Sequence, residues 1–342
     1  MADVNVSFSL ISSFILSDPM ISLIDPKPLT ITCGMAGISG FAMVDEVKSV
    51  SILIIYCAVV MSANNVKPLI PFPALLIDDG YEKVLVVGDL HIGWEISLVD
   101  RGIYIPSQVS RLQLKLLQII DHAKPSQIVF LGDVKQAIPR ISLEEWRSVP
   151  EFFETVQDAV KKIFIILGNH DGDLEPLIPS AVKIIPSSGL VVGEEKHVGL
   201  FHGHAWPSPE VLSAGLLVMG HIHPVVWFRD KLGLWTVRQV WIKAKCDREK
   251  LSRTYLKHQN VKADKKSTET LRREVGIETG DVNLIVMPAF NELLGGMSIN
   301  RLERGLMGPI LHSRGVDMDN AEAYLLDGTY IGTVKQLRAQ II

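Results

Sequence analysis

The sequence predicts an α/β fold in which short buried strands carry metal-ligating side chains at their C-terminal ends. Three observations predict it. Apolar runs at Val84–Val87, Ile128–Leu131, Ile163–Leu167, Val198–Phe201 and Leu216–Met219 have the length and β-branching of strands covered on both faces. Each run leads into a polar cluster built on glycine: Gly88-Asp89-Leu90-His91-Ile92-Gly93, Gly132-Asp133, Gly168-Asn169-His170-Asp171, Phe201-His202-Gly203-His204 and Gly220-His221-Ile222-His223. Helical spacing appears between the runs, and open α/β sheets place their sites at strand C-termini.

Composition narrows the class. The 342 residues are 47% hydrophobic and 21% charged, with a net charge of -4. That length allows one large domain or two ordinary ones, and the charge gives no global field for nucleic acid. The 3 cysteines, Cys33, Cys57 and Cys246, form no C-x-x-C pair. A cysteine-built zinc site and a disulfide framework are therefore excluded, and a reducing, cytoplasmic compartment is expected. Of the 10 histidines, His91, His170, His202, His204, His221 and His223 fall in the clusters. His122, His197, His258 and His312 have no such context.

Taken in order, residues 1–60 stand apart as an atypical, apolar extension without periodicity. Their greasiest runs, Phe8–Leu16 and Val50–Val60, fall short of the ~20 residues that span a bilayer. No Lys or Arg precedes the first run, which argues against a secretory signal. A natural start at Met61 makes this segment a gene-model artefact; the alternative is an extension docked on the sheet edge or a membrane surface. Residues 61–342 read as one domain. Asp78-Asp79-Gly80 supplies hairpin turn chemistry. Val109, Leu112, Leu116 and Ile120 place an amphipathic helix over Ser107–Ala123. Ser142 and Glu145 form a capping box ahead of a second helix, which Pro150 is expected to break. The stretch from Asp171 to His202 is too short for a large cap domain, so the site should be open.

Beyond His223, Val240, Ile242 and Ala244 alternate with polar neighbours and predict a strand exposed on one face. Within 247–281, Arg248 to Arg273 is rich in Lys and Arg, and reads either as solvated helix and loop or as a basic arm for a polyanion. Ala263–Ser267 is polar enough for disorder. Leu284–Met287, Pro309–Leu311, Ala323–Leu326 and Tyr330–Val334 read as strands of a second sheet.

The Asp-x-His pairs have a geometric reading: alternate residues of extended chain point to one side, so Asp89 joins His91 and His221 joins His223. The order Asp-x-His, Gly-Asp, Gly-Asn-His-Asp, His, Gly-His-x-His resembles the calcineurin-like metallophosphoesterase superfamily, with a weaker similarity to an archaeal branch of small phosphoesterases related to break-repair nuclease subunits. The resemblance implies a four-layer α-β-β-α sandwich of two mixed sheets with a dinuclear site. It assigns Asp89, His91 and His223 to one metal, Asn169, His202 and His221 to the other, and Asp133 to both through its two oxygens. Mixed imidazole and carboxylate ligands suit two Mn ions, or Fe or Zn, better than Mg or Ca.

The implied activity is hydrolysis of phosphodiesters, of nucleic acid or nucleotides, by a water activated between the metals. His170 is the expected proton donor to the leaving oxygen, with Asp171 orienting it. His204 is placed behind the ligands. A phosphomonoesterase or nucleotide pyrophosphohydrolase, and a silent nucleic-acid-binding subunit, remain as alternatives. Some relatives work with a partner ATPase, but this chain shows no coiled coil or long apolar docking helix for one. At Gln136 relatives often carry a charged residue or histidine; glutamine can hydrogen-bond but not titrate. Lys135 reads as solvated. Val99-Asp100-Arg101-Gly102 spells part of a protein phosphatase signature but follows the wrong cluster, so that activity is not expected.

Overall fold

The computed structural model describes residues 65–193, 197–262, 266–278, 280–301 and 307–340. The segment 1–60 lies outside the described residues. The first sheet takes its strands in chain order: β1 (Val66–Pro68), β2 (Leu75–Asp78), β3 (Lys83–Val87), β4 (Gln127–Phe130), β5 (Lys162–Ile166) and β6 (Lys183–Ile185). β1 to β3 are antiparallel, and β3 to β6 are parallel. The β2–β3 turn forms as its sequence predicts: Asp79 Oδ1 accepts from the amides of Tyr81 and Glu82, and Gly80 supplies a φ of 88°.

The second sheet contains β7 (Leu190–Val192), β8 (Val198–Phe201), β9 (Leu216–Met219), β10 (Val225–Arg229), β11 (Trp235–Cys246), β12 (Val282–Val286), β13 (Glu322–Leu325) and β14 (Tyr330–Thr333). Its order is β14-β13-β11-β12-β9-β8-β7, with β10 paired to β11. Parallel β8, β9 and β12 sit among antiparallel neighbours, so this sheet is mixed too.

Three apolar layers hold these sheets and the helices together. Val84, Val86, Val129, Ile166, Val218, Trp241 and Ile285 fill the space between the sheets. Leu85, Val87 and Phe130 face the other way, onto the helices Val109–Ala123 and Leu143–Ala159. Ile242, Leu284 and Val286 face a third layer with Leu251, Tyr255 and Leu271 of the helices Arg248–His258 and Ser267–Val275. This is the four-layer arrangement, helices outside and two mixed sheets within. Alternation along each strand delivers one face to each layer.

Four expectations need correction. Pro150 does not break its helix, which runs from Leu143 to Ala159 with the Ser142–Glu145 capping box formed. An interior proline costs ~3 kcal/mol. Val149, Phe152, Phe153 and Val156 are all fully buried on the same helix, and each contributes ~1.5–3 kcal/mol. Burial outweighs the missing bond. Pro309–Leu311 opens a short helix, Pro309–His312, where proline occupies the first turn and needs no amide partner.

The strand around Val240 is covered on both faces, because Val240 and Ile242 meet the helices while Trp241 lies between the sheets. The basic segment folds into two helices against the second sheet. Several of its charges pair locally, as in Lys250–Asp247, Lys266–Glu269 and Arg272–Glu278. Ser267, expected in a disordered stretch, is buried at a helix start; residues 263–265 lie outside the described residues. Among the described residues, no helix is long and apolar enough to cross a membrane.

Candidate metal centre

The parallel strands end side by side, and the loops that leave them converge. Asp89 and His91 follow β3, Asp133 follows β4, and Asn169 to Asp171 follow β5. His202 follows β8, and His221 and His223 follow β9. The extended-chain reading of Asp-x-His fails here. Asp89, His91, Asp133, His221 and His223 all take positive φ, between 45° and 72°. This left-handed backbone is uncommon for non-glycine residues and costs energy, and it concentrates where function over-determines the chain. Cross-loop hydrogen bonds hold it: Asp89 N–H to Gly132 O, His91 N–H to Asp133 O, and Asn291 N–H to Asp89 O.

Glycines admit the close approach. A Cβ on Gly220 would lie 2.6 Å from Asp89 Oδ2, and one on Gly168 would collide with Asp133. Seven predicted ligands thereby reach one point. Asp89, His91, Asp133 and His223 form one donor group and Asp133, His202 and His221 another, each with its donor atoms within 4.8 Å of one another. Asn169 joins the second through Oδ1, 3.2 Å from His202 Nε2.

Tautomers decide what this arrangement can hold. His91 Nδ1 lies 2.8 Å from Gln136 Oε1, His202 Nδ1 is 2.5 Å from Leu131 O, and His223 Nδ1 is 3.2 Å from Gly295 O. Each Nδ1–H donates to an oxygen, so each neutral ring presents a bare Nε2. Those nitrogens face carboxylates: His91 and His202 Nε2 lie 3.3 and 3.4 Å from Asp133 Oδ2, and His223 Nε2 lies 3.3 Å from Asp89 Oδ1. Among the described residues, His91 Nε2 and His223 Nε2 are buried without a hydrogen-bond partner. Lone pair facing lone pair at this distance is repulsive unless a positive charge sits between. A proton or a metal ion satisfies it, and the mixed N,O donor set suits a transition metal.

The titration behaviour has the same origin. Burial opposes ionisation of Asp89, yet His223 and His202 outweigh it and hold the carboxyl below the ordinary range. Asp133 is held down in the same way by His202 and His91. Burial also works against the charged form of His202, but Asp133 and Asp89 push it up to about 9. His223 is raised by Asp89 against the same penalty. His221 goes the other way: burial and the neighbouring His202 bring it down to about 4.

Several assigned roles change. Asp133 presents one oxygen, not two, to both donor groups: Oδ2 faces His91 and His202, while Oδ1 accepts the His170 amide at 2.9 Å. Asp171 does not orient His170. Its carboxylate is buried and accepts from the amides of Gly168 (2.8 Å), Val134 (2.9 Å) and Lys135 (3.4 Å), tying two site loops together. Burial, with the negative charge of Asp133, raises its pKa despite those donors. His170 is oriented by the Gln136 carbonyl, 2.6 Å from its Nδ1. Lys135 is buried and donates to the Ala137 carbonyl, so it is neither solvated nor a phosphate contact. His204 packs 5.2 Å from the His202 ring, outside both donor groups, with its pKa lowered by burial and by His202.

Sequence reasoning missed the supports. Glu145, read only as a cap, is buried and accepts from the amides of Gln136 and Ala137 as well as Ser142, so it anchors the loop that carries Gln136. The loop after β12 crosses to the first sheet, where Asn291 Nδ2 donates to Leu90 O, and Lys115 and Arg111 pair with Glu292. Its glycines and Ser298 line one side of the cleft. No local signal could have announced contacts between residues so distant in sequence.

Residues 82–263 match the family model described as Calcineurin-like phosphoesterase. The chain belongs to that family. Among curated relatives of this calcineurin-like phosphoesterase, the phosphodiesterase YfcE of Escherichia coli (strain K12) is 27% identical over 123 residues. The match spans 34% of this chain and 66% of YfcE, just under two thirds of that enzyme's length. Among solved structures, the nuclease MPE of Pseudomonas putida gives a TM-score of 0.42 at 16% identity, covering 76% of this chain and 90% of that one. The E. coli phosphoesterase Yfce gives 0.28 at 20% identity, covering 44% and 75%.

Proposed function

We propose that this chain is a metal-dependent hydrolase that cleaves phosphodiester bonds of nucleic acids or nucleotides with two divalent cations, Mn being the first choice. The observation that carries this reading is the shared oxygen of Asp133. One carboxylate Oδ2 faces bare imidazole nitrogens from both donor groups, which suits two neighbouring cations better than one. When bound, such cations supply charge neutralisation at the phosphoryl group and a water of lowered pKa.

The chain's own residues do the rest. The Asp133 carboxylate is fixed by the His170 amide and the Asp89 carboxylate by the His221 amide, so neither needs to reorganise when charge develops. With Nδ1 of His170 held by the Gln136 carbonyl, Nε2 is the ring nitrogen left to exchange a proton with a leaving oxygen. The cleft, about 650 Å³, is lined by His91, Asp133, Asn169 and His170, and between Asp171 and His202 the described residues add only short elements. An open cleft of this kind suits the two substituents of a diester, and Arg301 on its wall suits a polyanion.

The test is turnover of bis(p-nitrophenyl) phosphate by metal-stripped protein, with Mn, Fe, Zn or Mg added back, beside Asp133→Asn. Metal-dependent turnover that disappears in the variant supports the reading. Faster turnover of p-nitrophenyl phosphate than of the diester would move the assignment to a phosphomonoesterase.

A further inference from the structure

Trp227 and Arg301 on one wall of the cleft belong to neither donor group, and both continue into a cluster of aromatic and cationic side chains. In the β10–β11 hairpin, Trp227 pairs with Val237 and Arg229 with Trp235, so these four residues share one face of the ribbon. The two indole rings meet edge to face at 6.1 Å. The Arg301 guanidinium lies 5.1 Å from the Trp227 ring and 4.9 Å from the Trp235 ring, and Arg229 lies 5.6 Å from Trp235. Trp227 and Arg301 line the same cleft as His91, Asp133 and His170.

The arrangement is built in, not incidental. Buried Asn300 accepts from the Trp227 amide at 3.1 Å and donates to the Trp227 carbonyl at 2.9 Å, which fixes Arg301 beside the rings. The Ile299 amide donates to Val225 O, and Ser298 bridges to Val225 in parallel, which ties this loop to the start of β10.

Resting on the phosphodiesterase reading above, we propose that Trp227, Trp235 and Arg301 form a stacking platform for an unpaired base of single-stranded nucleic acid, beside the metal centre. Every base has a π face, and both indole and guanidinium planes stack on it without demanding a particular sequence. Trp235 keeps 38% of its surface exposed for such a partner. The hairpin also carries Arg229, Lys231 and Arg238 against Asp230, whose carboxylate is engaged by the Leu232 and Leu234 amides. This local cationic excess, in a chain of net charge -4, suits a polyanion. In a duplex the base faces are covered by neighbouring pairs, so the platform selects single strands and frayed ends.

The experiment uses the full chain, stripped of divalent ions so that a strand is bound but not cut, and a fluorescein-labelled oligothymidylate read by anisotropy. Trp235→Ala should weaken binding roughly 5- to 150-fold, the range for loss of one base–aromatic stack. Trp235→Phe, which keeps a ring, should retain most of the affinity. A self-complementary duplex of equal length should bind more weakly than the single strand. Unchanged affinity in Trp235→Ala, or equal affinity for duplex, overturns the proposal. So does failure to bind the strand alongside Trp235-dependent binding to anionic phosphatidylserine vesicles, which would assign the exposed Leu232 and Leu234 to a lipid surface. Turnover of the small diester by the unmodified protein tests the hydrolase reading separately: if it persists while Trp235→Ala binds as the parent does, the platform alone fails.

Discussion

Gln136 Oε1 accepts from His91 Nδ1 at 2.8 Å, and this contact decides which nitrogen of His91 meets the metal site. With Nδ1 protonated, Nε2 keeps its lone pair toward Asp133. Gln136→Leu removes the acceptor and frees the ring to adopt the other tautomer. Loss of such a support costs metal affinity about 10- to 100-fold. The expected outcome is that drop in affinity, measured by titrating Mn into stripped protein, with an unchanged far-UV circular dichroism spectrum. Affinity within twofold of the parent would show that Gln136 does not set the tautomer.

His202 gives the metal-free site its proton. Its pKa is raised to about 9 by Asp133 and Asp89, over the opposing effect of burial, so the ring is protonated at neutral pH. A cation must displace that proton. Apparent affinity should therefore rise with pH from neutral to about 9, by about tenfold per unit for one proton, and level off above. His221, down at about 4, is already neutral and adds nothing to this slope.

The same proton stabilises the metal-free fold. For a histidine raised in the folded state, that contribution is complete below the unfolded value of 6.5 and is lost as pH rises through about 9. Calorimetry in two buffers of different ionisation enthalpy counts the protons released on Mn binding. Zero released at pH 7 would contradict the assignment.

Asp171 is a clamp between site loops, so its replacement should act on stability before chemistry. In Asp171→Asn the amide cannot accept from all three amides of Gly168, Val134 and Lys135, and its own N–H₂ meets a donor. Hydrogen bonds to a buried charge are worth ~1.5–3 kcal/mol each, and an unsatisfied buried donor costs ~1–3 kcal/mol. We expect a destabilisation of about 2–4 kcal/mol in urea unfolding. Turnover per bound metal should stay near the parent's. His170→Ala should do the reverse, losing turnover roughly 10²- to 10⁴-fold with metal content and stability retained.

Much of this architecture was legible because each signal is local. Val84–Val87 or Leu216–Met219 needs only its own apolar side chains to be read as a buried strand, and Ser142 and Glu145 cap a helix start within four residues. The ligand clusters were legible for the same reason: side-chain chemistry is written residue by residue. What orients the ligands is not. His202 and His223 are oriented by the carbonyls of Leu131 and Gly295, groups that every residue carries. The left-handed backbone at Asp89, His91 and Asp133 defeats a rule derived from extended chain, because cross-loop bonds impose it from outside the motif. Asn291 reaches Leu90 across 201 positions of sequence, and only the packed sheets bring them together.

Gly168 offers the sharpest test of the shared carboxylate. A Cβ there would run into both the backbone nitrogen and Oδ1 of Asp133. Oδ1 is the oxygen that accepts from the His170 amide, so relief of the clash must break that bond or move the whole side chain. Oδ2 faces His91 of one donor group and His202 of the other, and both would lose a ligand together. Forced overpacking of this kind costs ~1–3 kcal/mol. The expected result for Gly168→Ala is parallel loss of both metal equivalents, measured by mass spectrometry of metal content after dialysis against limiting Mn. Gly172→Ala is the control, since a Cβ there meets nothing within 4 Å. Loss of one equivalent with full retention of the other would mean that Asp133 serves a single cation, and the two-cation reading would fall with it.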